Sequence, residues 1–273
     1  MPAPEAAAAT DLALIEEAVR EAGKIARSYF GGQYKSWDKG KGQPVTEADL
    51  AVDRFLHEAL IRDRPNYGWM SEETGHDPRR LTTASTFIVD PIDGTVGFLK
   101  GRPHFTICAA VVRESRPVCG VVFNPVTEEC FTASTGGGAH LNGTPISVSA
   151  CDAVEGCRML AATATFAHPG WSVPPNRPWP DMAVETRSSI AYRMALVAGG
   201  GYDAMLALSA KHDWDLAAGD IIVREAGGCV TNHCGETLRY NGAEPIQPSV
   251  VCAGPALHAR LLDRLAHVPR HRR

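Results

Sequence analysis

The sequence feature that most constrains this chain is the segment Thr86–Thr95, in which an apolar run leads into two carboxylates. The first four residues are apolar or β-branched, which predicts a buried strand. Asp90 and Asp93 follow where that strand ends, and Pro91 and Gly94 favour a turn there. Loops at strand ends are where α/β proteins bind ligands, and paired carboxylates suit a hard cation. The same residues also fit an ordinary turn that its aspartates only cap, so the segment alone leaves both interpretations open.

Two helices are predicted before this segment. Apolar residues recur at helical spacing over Thr10–Phe30, and Thr46–Asp49 matches a capping box that opens a second helix. Residues 1–10 lack the basic and apolar regions of a secretory signal and are predicted to form a disordered leader. Residues 33–44 are polar and rich in lysine and glycine, which predicts a mobile surface loop.

After residue 103 the sequence pattern predicts a meander of antiparallel strands, and from about Ser147 predicted strands and helices alternate. One strand, Gly68–Glu73, is predicted before this region and ends in paired acids. The other predicted strands are Phe105–Val112, Val118–Phe123, Glu129–Ala133, Met159–Thr163, Tyr202–Leu208 and short strands around Val230 and Val250. The predicted helices are Ser188–Val197, Trp214–Ala226 and Leu257–Leu265, with a proline-rich excursion at 167–180. The order of elements predicts an α/β (α+β) protein with helices layered on sheets, in two halves.

Composition narrows the classes of function. The net charge of -4 argues against a nucleic-acid partner, which usually meets a basic surface. No apolar run reaches the length of a membrane span, so no membrane partner is expected. The eight cysteines form no C-x-x-C pair and are predicted to be free thiols of a cytoplasmic protein, not a zinc site.

Acidic residues recur at the ends of predicted elements. They are Asp49, Glu72, Glu73, Asp90, Asp93, Asp213 and Asp215. Carboxylates gathered in one cleft would raise one another's pKa values, whereas bound Mg²⁺ removes that conflict because a hard cation prefers oxygen ligands. The acids therefore indicate a magnesium site.

Four motifs resemble those of the inositol monophosphatase superfamily, including its 3′(2′),5′-bisphosphate nucleotidases. They are Val45–Asp49, Ser71–Glu73, Asp90–Thr95 and Trp214–Gly219. The resemblance extends from about residue 10 to 265. It implies a layered α-β-α-β-α sandwich of the inositol monophosphatase and fructose-bisphosphatase type. It also implies one catalytic unit of two halves: residues 1–146 with most metal ligands, and residues 147–273 with Asp215 and the specificity residues.

The resemblance further implies a metal-dependent phosphomonoesterase. Glu72, Asp90 and the Ile92 carbonyl would hold a first Mg²⁺, and Asp90, Asp93 and Asp215 a second, while a third, weaker Mg²⁺ beside Glu72 is typical. Glu72, Thr95 and Asp49 would be catalytic, with Thr95 positioning a metal-activated water for in-line attack and Asp49 accepting a hydrogen bond from the Thr95 hydroxyl, which orients it. Asp93, Gly94, Thr95 and Asp215 would contact the small phosphate ester. Homodimers are common in the family.

Several residues keep an alternative interpretation. Asp49 also fits a helix cap, Glu73 is an alternative ligand to Glu72, and Asp213 is expected to cap a helix or face solvent. The lysines at 35, 39 and 41 either meet phosphate or remain solvated, and His212 is expected at the surface.

The motifs define the reaction better than the substrate. In inositol monophosphatases an acid seven positions before the last metal-binding aspartate contacts inositol hydroxyls, and here that position is Leu208. This departure argues against strict inositol phosphatase activity, and the run Leu208–Ala218 resembles bacterial relatives assigned as 3′(2′),5′-bisphosphate nucleotidases, in which Lys211 or Arg193 would meet the second phosphate. An inositol monophosphate-like ester and a bisphosphate nucleotide are both candidate substrates. Histidinol phosphate and fructose 1,6-bisphosphate remain alternatives, the chain being short for the latter. A non-catalytic regulatory protein would instead have a degraded metal site.

Overall fold

The computed structural model describes residues 4–40, 43–74, 77–167 and 169–269. The helices are α1 (Pro4–Tyr29), α2 (Glu47–Asp63), α3 (Thr95–Leu99), α4 (Thr163–Phe166), α5 (Ile190–Ala198), α6 (Asp213–Glu225) and α7 (Pro255–Leu265). The first strands are β1 (Ser36–Asp38), β2 (Pro44–Thr46), β3 (Gly68–Ser71), β4 (Thr86–Asp93), β5 (Thr106–Arg113), β6 (Arg116–Asn124), β7 (Glu129–Ser134), β8 (Gly138–Leu141) and β9 (Thr144–Pro145). The later strands are β10 (Arg158–Ala161), β11 (Ala183–Glu185), β12 (Ala204–Ala207), β13 (Lys211–His212), β14 (Cys229–Thr231), β15 (Ile246–Gln247) and β16 (Val250–Ala253).

The larger sheet is central and is covered on both faces. Its order is β3-β4-β5-β6-β7-β8-β9, with β3 and β4 parallel and the remaining pairs antiparallel. Along β4, Phe87 and Val89 pack towards α1 and α2, whereas Ile88 packs into the cluster that contains α5 and α6. Burial on both faces explains why this strand is a continuous apolar run in the sequence.

A second, five-stranded sheet has the order β11-β10-β12-β16-β14. One face shares a hydrophobic cluster with α5 and α6, through residues such as Leu160 and Val250. The opposite face packs on α7, where Met159 and Leu206 meet Leu257. The layers therefore run α1/α2, large sheet, α5/α6, small sheet, α7, which confirms the predicted α-β-α-β-α sandwich.

Two predictions near the N-terminus are wrong. The leader predicted over residues 1–10 belongs to α1 from Pro4 onward, and residues 1–3 lie outside the described part. Alanine is the best helix former, and Ala8 is buried, so tertiary packing extends the helix past the point where its periodicity is obvious. In the predicted loop 33–44, β1 pairs with β2, and the Asp38 carboxylate accepts hydrogen bonds from the amides of Gly40 and Gln43. Lys41 lies outside the described residues.

The other predicted helices and strands agree with the structure to within a few residues, whereas the short elements α4, β8, β9, β11, β13 and β15 were not predicted. The capping box at Thr46 is present, with Asp49 accepting from the Thr46 amide at 2.8 Å. The excursion at 167–180 contains a short 3₁₀ turn, Pro169–Ser172. All eight cysteines are free thiols, five of them buried. No described helix is both long and apolar enough to span a bilayer. The boundary at 146/147 stays a prediction.

Candidate active site

Four elements, β3, β4, α3 and α6, deliver the candidate site residues to one cleft of about 510 Å³. Because β3 and β4 are parallel neighbours, their carboxyl ends meet at one edge of the sheet. Glu72 follows β3, and Asp90 and Asp93 end β4. Thr95 begins α3 and Asp215 lies in the first turn of α6, which brings the C-terminal half to the same edge. Glu72, Asp90, Asp93, Gly94, Thr95 and Asp215 all line this cleft.

Three of these acids form a tight group. One carboxylate oxygen from each of Asp90, Asp93 and Asp215 lies within 4.8 Å of the others. Burial, followed by the charges of Glu72 and its neighbours, raises the pKa of Asp90 well above its usual value. Burial and the Asp93 charge raise the pKa of Asp215 to about 8. Without a counter-charge these three carboxylates are therefore costly to ionise together.

The donor set fits a hard divalent cation. All three side chains offer oxygen ligands, which Mg²⁺ prefers. Among the described residues, Asp90 and Asp215 each accept one backbone hydrogen bond. Asp90 Oδ1 accepts from the Ile92 amide at 3.1 Å, and Asp215 Oδ2 accepts from the His212 amide at 2.9 Å. Oxygens held in this way are oriented while retaining lone pairs for a metal.

Thr95 and Asp49 make the contact that the resemblance implies. The Thr95 hydroxyl lies 3.2 Å from Asp49 Oδ1 and 3.1 Å from the Ile92 carbonyl oxygen. Since a hydroxyl has one proton, these two acceptors share it. Burial raises the pKa of Asp49 to about 6, although its bonds to Thr46 act in the opposite direction. Capping and orientation therefore coexist, because Asp49 Oδ2 serves Thr46 and Oδ1 faces Thr95.

Glu72 and Glu73 occupy different environments. Glu72 lines the cleft, whereas the Glu73 side chain is only 3% exposed and pairs with Lys39 at 2.7 Å. Burial raises the pKa of Glu73 to about 7 despite that pair. Lys39 also lies 3.3 Å from Glu72 Oε1, so it contacts the acids instead of standing free in solvent. This placement favours Glu72 over Glu73 as the ligand.

Gly94 is required by its backbone and its surroundings. Its φ is +97°, in the left-handed region that glycine tolerates best. A Cβ there would lie 2.8 Å from both the His104 carbonyl oxygen and the Ser189 nitrogen. The turn between β4 and α3 therefore packs against the segment that leads into α5.

A cationic wall, defined here as the Arg102 and Arg187 guanidinium groups with His104 beside them, lines the same cleft as the acids, and Arg187 is also ion-paired with Glu185 at 2.9 Å. The sequence prediction missed all three, and only their clustering in space reveals them. Burial lowers the pKa of His104, and the positive charges of Arg187 and Arg102 lower it further. The wall can therefore receive an anionic group beyond the one near the carboxylates.

The predicted specificity residues are placed unevenly. Arg193 and Lys211 line the cleft, but both are engaged by the chain itself. Arg193 Nε donates to the Arg187 carbonyl at 2.7 Å, and Lys211 Nζ donates to Ser209 Oγ at 2.7 Å. Leu208 does not line the cleft and packs against the cluster between the small sheet and α7.

Asp213 and His212 lie beside Asp215 at the start of α6. Asp213 was expected to cap a helix or face solvent, and this is wrong. It is fully buried, and its carboxylate accepts from the Asn241 amide at 2.7 Å and from Gln247 Nε2 at 2.8 Å. His212 is half-buried at the N-cap of α6, and its ring stacks on Trp214 with centroids 4.4 Å apart.

Comparison with known proteins relates this chain to one family by sequence and by fold. Residues 8–270 match the sequence model of the inositol monophosphatase family. An inositol-1-monophosphatase of Rhizobium meliloti (strain 1021) is 35% identical over 266 residues, covering 94% of this chain and 96% of the relative. A Nus factor SuhB of Haemophilus influenzae is 34% identical, covering 78% of this chain and 81% of the relative. The crystal structure of extragenic suppressor protein suhB from Bartonella henselae has a TM-score of 0.79 at 26% identity, covering 95% of this chain and 100% of that one.

Proposed function

The chain belongs to the inositol monophosphatase family of phosphatases, and from that premise we propose that it is a Mg²⁺-dependent phosphomonoesterase. Its substrate would be a small phosphate monoester, and inorganic phosphate would be released by attack of water. The observation that carries the proposal is the group formed by Asp90, Asp93 and Asp215, which lines the same cleft as Thr95, whose hydroxyl is held by the buried Asp49.

Asp90, Asp93 and Asp215 would hold one Mg²⁺, and Glu72, Asp90 and the Ile92 carbonyl a second, with room for a weaker third beside Glu72. Bound there, Mg²⁺ supplies a water of lowered pKa and stabilises the leaving oxygen. The number and identity of the ions are part of the proposal.

The chain's own residues would orient the reactants. When the Thr95 hydroxyl donates a hydrogen bond to Asp49, its oxygen lone pairs can accept a hydrogen bond from the attacking water. Thr95 thus orders the water, while Asp49 holds the hydroxyl in the required direction. Because glycine tolerates the φ of +97° at Gly94, the turn can place Gly94 and Thr95 along the cleft, where their backbone amides would meet phosphate oxygens.

Two substrates are candidates, an inositol monophosphate and a 3′(2′),5′-bisphosphate nucleotide. Leu208 stands where inositol phosphatases have an acid, and it packs away from the cleft. The cationic wall favours a substrate with a second anionic group, because Arg102 lines the cleft beside Arg187, whose guanidinium is paired with Glu185 at 2.9 Å. We therefore favour the bisphosphate nucleotide. Histidinol phosphate is the remaining small-ester alternative.

The test is phosphate release from inositol 1-phosphate, 3′-phosphoadenosine 5′-phosphate and histidinol phosphate, with Mg²⁺ and with EDTA. We expect Mg²⁺-dependent cleavage, fastest for the bisphosphate. Cleavage that survives EDTA, or no cleavage of any of the three, would contradict the proposed mechanism. Equal rates for all three would contradict the substrate assignment alone.

A function of another class, regulatory binding without catalysis, is the alternative. One relative is named a Nus factor, which keeps this possibility in view. A regulator has no need to retain metal ligands, whereas here the predicted acids are all present in sequence and three lie together. We therefore prefer the enzyme. The homodimer expected from the resemblance stays a prediction.

A further inference from the structure

The carboxylate of Asp93 is held by the residues that begin α5. Its Oδ1 accepts from the Ile190 amide at 3.1 Å. Its Oδ2 accepts from the Ser189 hydroxyl and from the Ala191 amide, both at 2.7 Å. Asp93 lies at the end of β4 in the large sheet, so these bonds join the two halves of the chain at the candidate cation site.

Proton counting orients the Ser189 hydroxyl. An ionised carboxylate only accepts, so Ser189 gives its single proton to Asp93. The Tyr192 amide donates to Ser189 Oγ at 2.8 Å, as expected of an N-cap serine. The Thr106 hydroxyl, 2.8 Å from Ser189 Oγ, must therefore be a donor as well. Both lone pairs of Ser189 Oγ are then occupied, so its hydroxyl proton can point only to Asp93.

The same counting leaves Asp93 with one vacancy. A carboxylate has about four lone-pair directions, and donors among the described residues take one on Oδ1 and two on Oδ2. The remaining direction is on Oδ1. Ser189 and Thr106 are both completely buried, so water does not compete for these bonds.

We propose that Ser189 is a positioning residue that holds Asp93 with one Oδ1 lone pair directed to the bound cation, and that Thr106 fixes the Ser189 hydroxyl in that role. The inference rests on the proposed function only in requiring a divalent cation at Asp93. Hydrogen bonds to metal-binding carboxylates typically change metal affinity or activity 10–100-fold when they are removed.

The hydroxyl's donor role can be separated from its capping role. Glycine at an N-cap costs only a few tenths of a kcal/mol compared with serine, so Ser189→Gly removes the donor while largely preserving α5. Thr106→Val is nearly isosteric and leaves both the cap and Asp93 untouched. Its matched control is Thr132→Val, another buried threonine of the large sheet, on β7.

The experiment measures Mn²⁺ binding by electron paramagnetic resonance without substrate, and the Mg²⁺ concentration for half-maximal activity. We expect Mn²⁺ affinity to fall about 10-fold or more in Ser189→Gly and about 3-fold in Thr106→Val. Thr132→Val should bind like the wild type, and Ser189→Thr, which keeps a hydroxyl, should retain the wild-type affinity. Affinities within twofold of wild type in both Ser189→Gly and Thr106→Val would overturn the inference. Wild-type protein that bound no Mn²⁺ would instead overturn the proposed function.

Discussion

Lys39 Nζ lies 2.7 Å from Glu73 Oε1 and 3.3 Å from Glu72 Oε1. The ammonium therefore joins the β1–β2 hairpin to the turn that carries a candidate metal ligand. Burial alone would lower the pKa of Lys39, but its bonds to Glu73 and the charges of both glutamates raise it overall. Lys39 thus acts as an internal counter-ion beside the place where a divalent cation would bind Glu72.

Replacement of Lys39 by methionine should strengthen metal binding, because Mg²⁺ would no longer compete with the ammonium for Glu72. A partly exposed ion pair contributes about 0.2–1 kcal/mol, so the half-activating Mg²⁺ concentration should fall by up to about fivefold. Lys35→Met, an exposed lysine just before the same hairpin, is the control. A rise in the Mg²⁺ requirement would mean that Lys39 assists the cation or the phosphate instead.

Asp90→Asn should stabilise the metal-free protein while abolishing most activity. The substitution removes a fully buried charge that faces Glu72, Asp93 and Asp215, and Asp90 accepts only the Ile92 amide within the described structure. We expect the free energy of unfolding at pH 8 to rise by about 1 kcal/mol or more and kcat/KM to fall about 100-fold or more. Urea unfolding in EDTA and steady-state kinetics measure the two effects. Lower stability would contradict the repulsion described for this group.

Asp93→Asn should have the opposite effect on stability. An asparagine amide nitrogen cannot accept hydrogen bonds, so in either orientation it deprives at least one donor at the start of α5 of its acceptor. We expect a folded protein that is less stable by about 1–3 kcal/mol and that has lost most activity. The same urea and kinetic measurements apply. Near-normal turnover would remove Asp93 from the metal shell.

The stability of the metal-free protein should fall as the pH rises from 5 to 8. The pKa values of Asp49 and Asp93 are raised to about 6, that of Glu73 to about 7 and that of Asp215 to about 8, in each case mainly by burial. The folded state therefore binds more protons than the unfolded state in this range. For each extra proton bound, the free energy of unfolding falls by about 1.4 kcal/mol per pH unit. The stability that each carboxyl contributes is fully present below its unfolded pKa, near 4, and is lost as the pH rises through its raised folded-state pKa.

Mg²⁺ should reverse that trend, because the cation replaces protons as the counter-charge. Calorimetry at pH 5 to 8.5 should show that the Tm gained with Mg²⁺ increases with pH. The Asp90→Asn variant should show a smaller increase. A Tm gain that is independent of pH would contradict proton displacement at these carboxylates.

Arg102→Gln should discriminate between substrates. If the cationic wall receives a second anionic group, loss of one guanidinium lowers kcat/KM for 3′-phosphoadenosine 5′-phosphate about 10-fold but changes that for inositol 1-phosphate little. Lys100→Gln, which removes a nearby exposed charge outside the cleft lining, is the control for long-range electrostatics. Equal losses for both substrates would place Arg102 in phosphate binding at the acidic group.

Much of the fold and of the candidate site was predictable because the signals are local. The capping box at Thr46 and the β4 strand that ends at Asp90 and Asp93 involve residues only a few positions apart. The errors arise where a local pattern was weak or was overridden. The N-terminal turns of α1 are alanine-rich and weakly periodic, and Asp213 is polar yet completely buried because Asn241 and Gln247 satisfy it.

By itself the sequence determined the order of elements, the acidic motifs and the family, since each depends on residue types at short spacing. Only the tertiary structure decided which groups act on those acids. Ser189 reaches Asp93 from 96 positions away, and Arg102 and Arg187 meet in one cleft although no local period relates them. Hydrogen bonds and charge clusters of this kind depend on how β4, α5 and their connecting turns pack, and side-chain periodicity does not encode that distance. The Thr86–Thr95 segment therefore carries the acidic motif of the proposed cation site in its sequence, while the orientation of Asp93 comes from the start of α5.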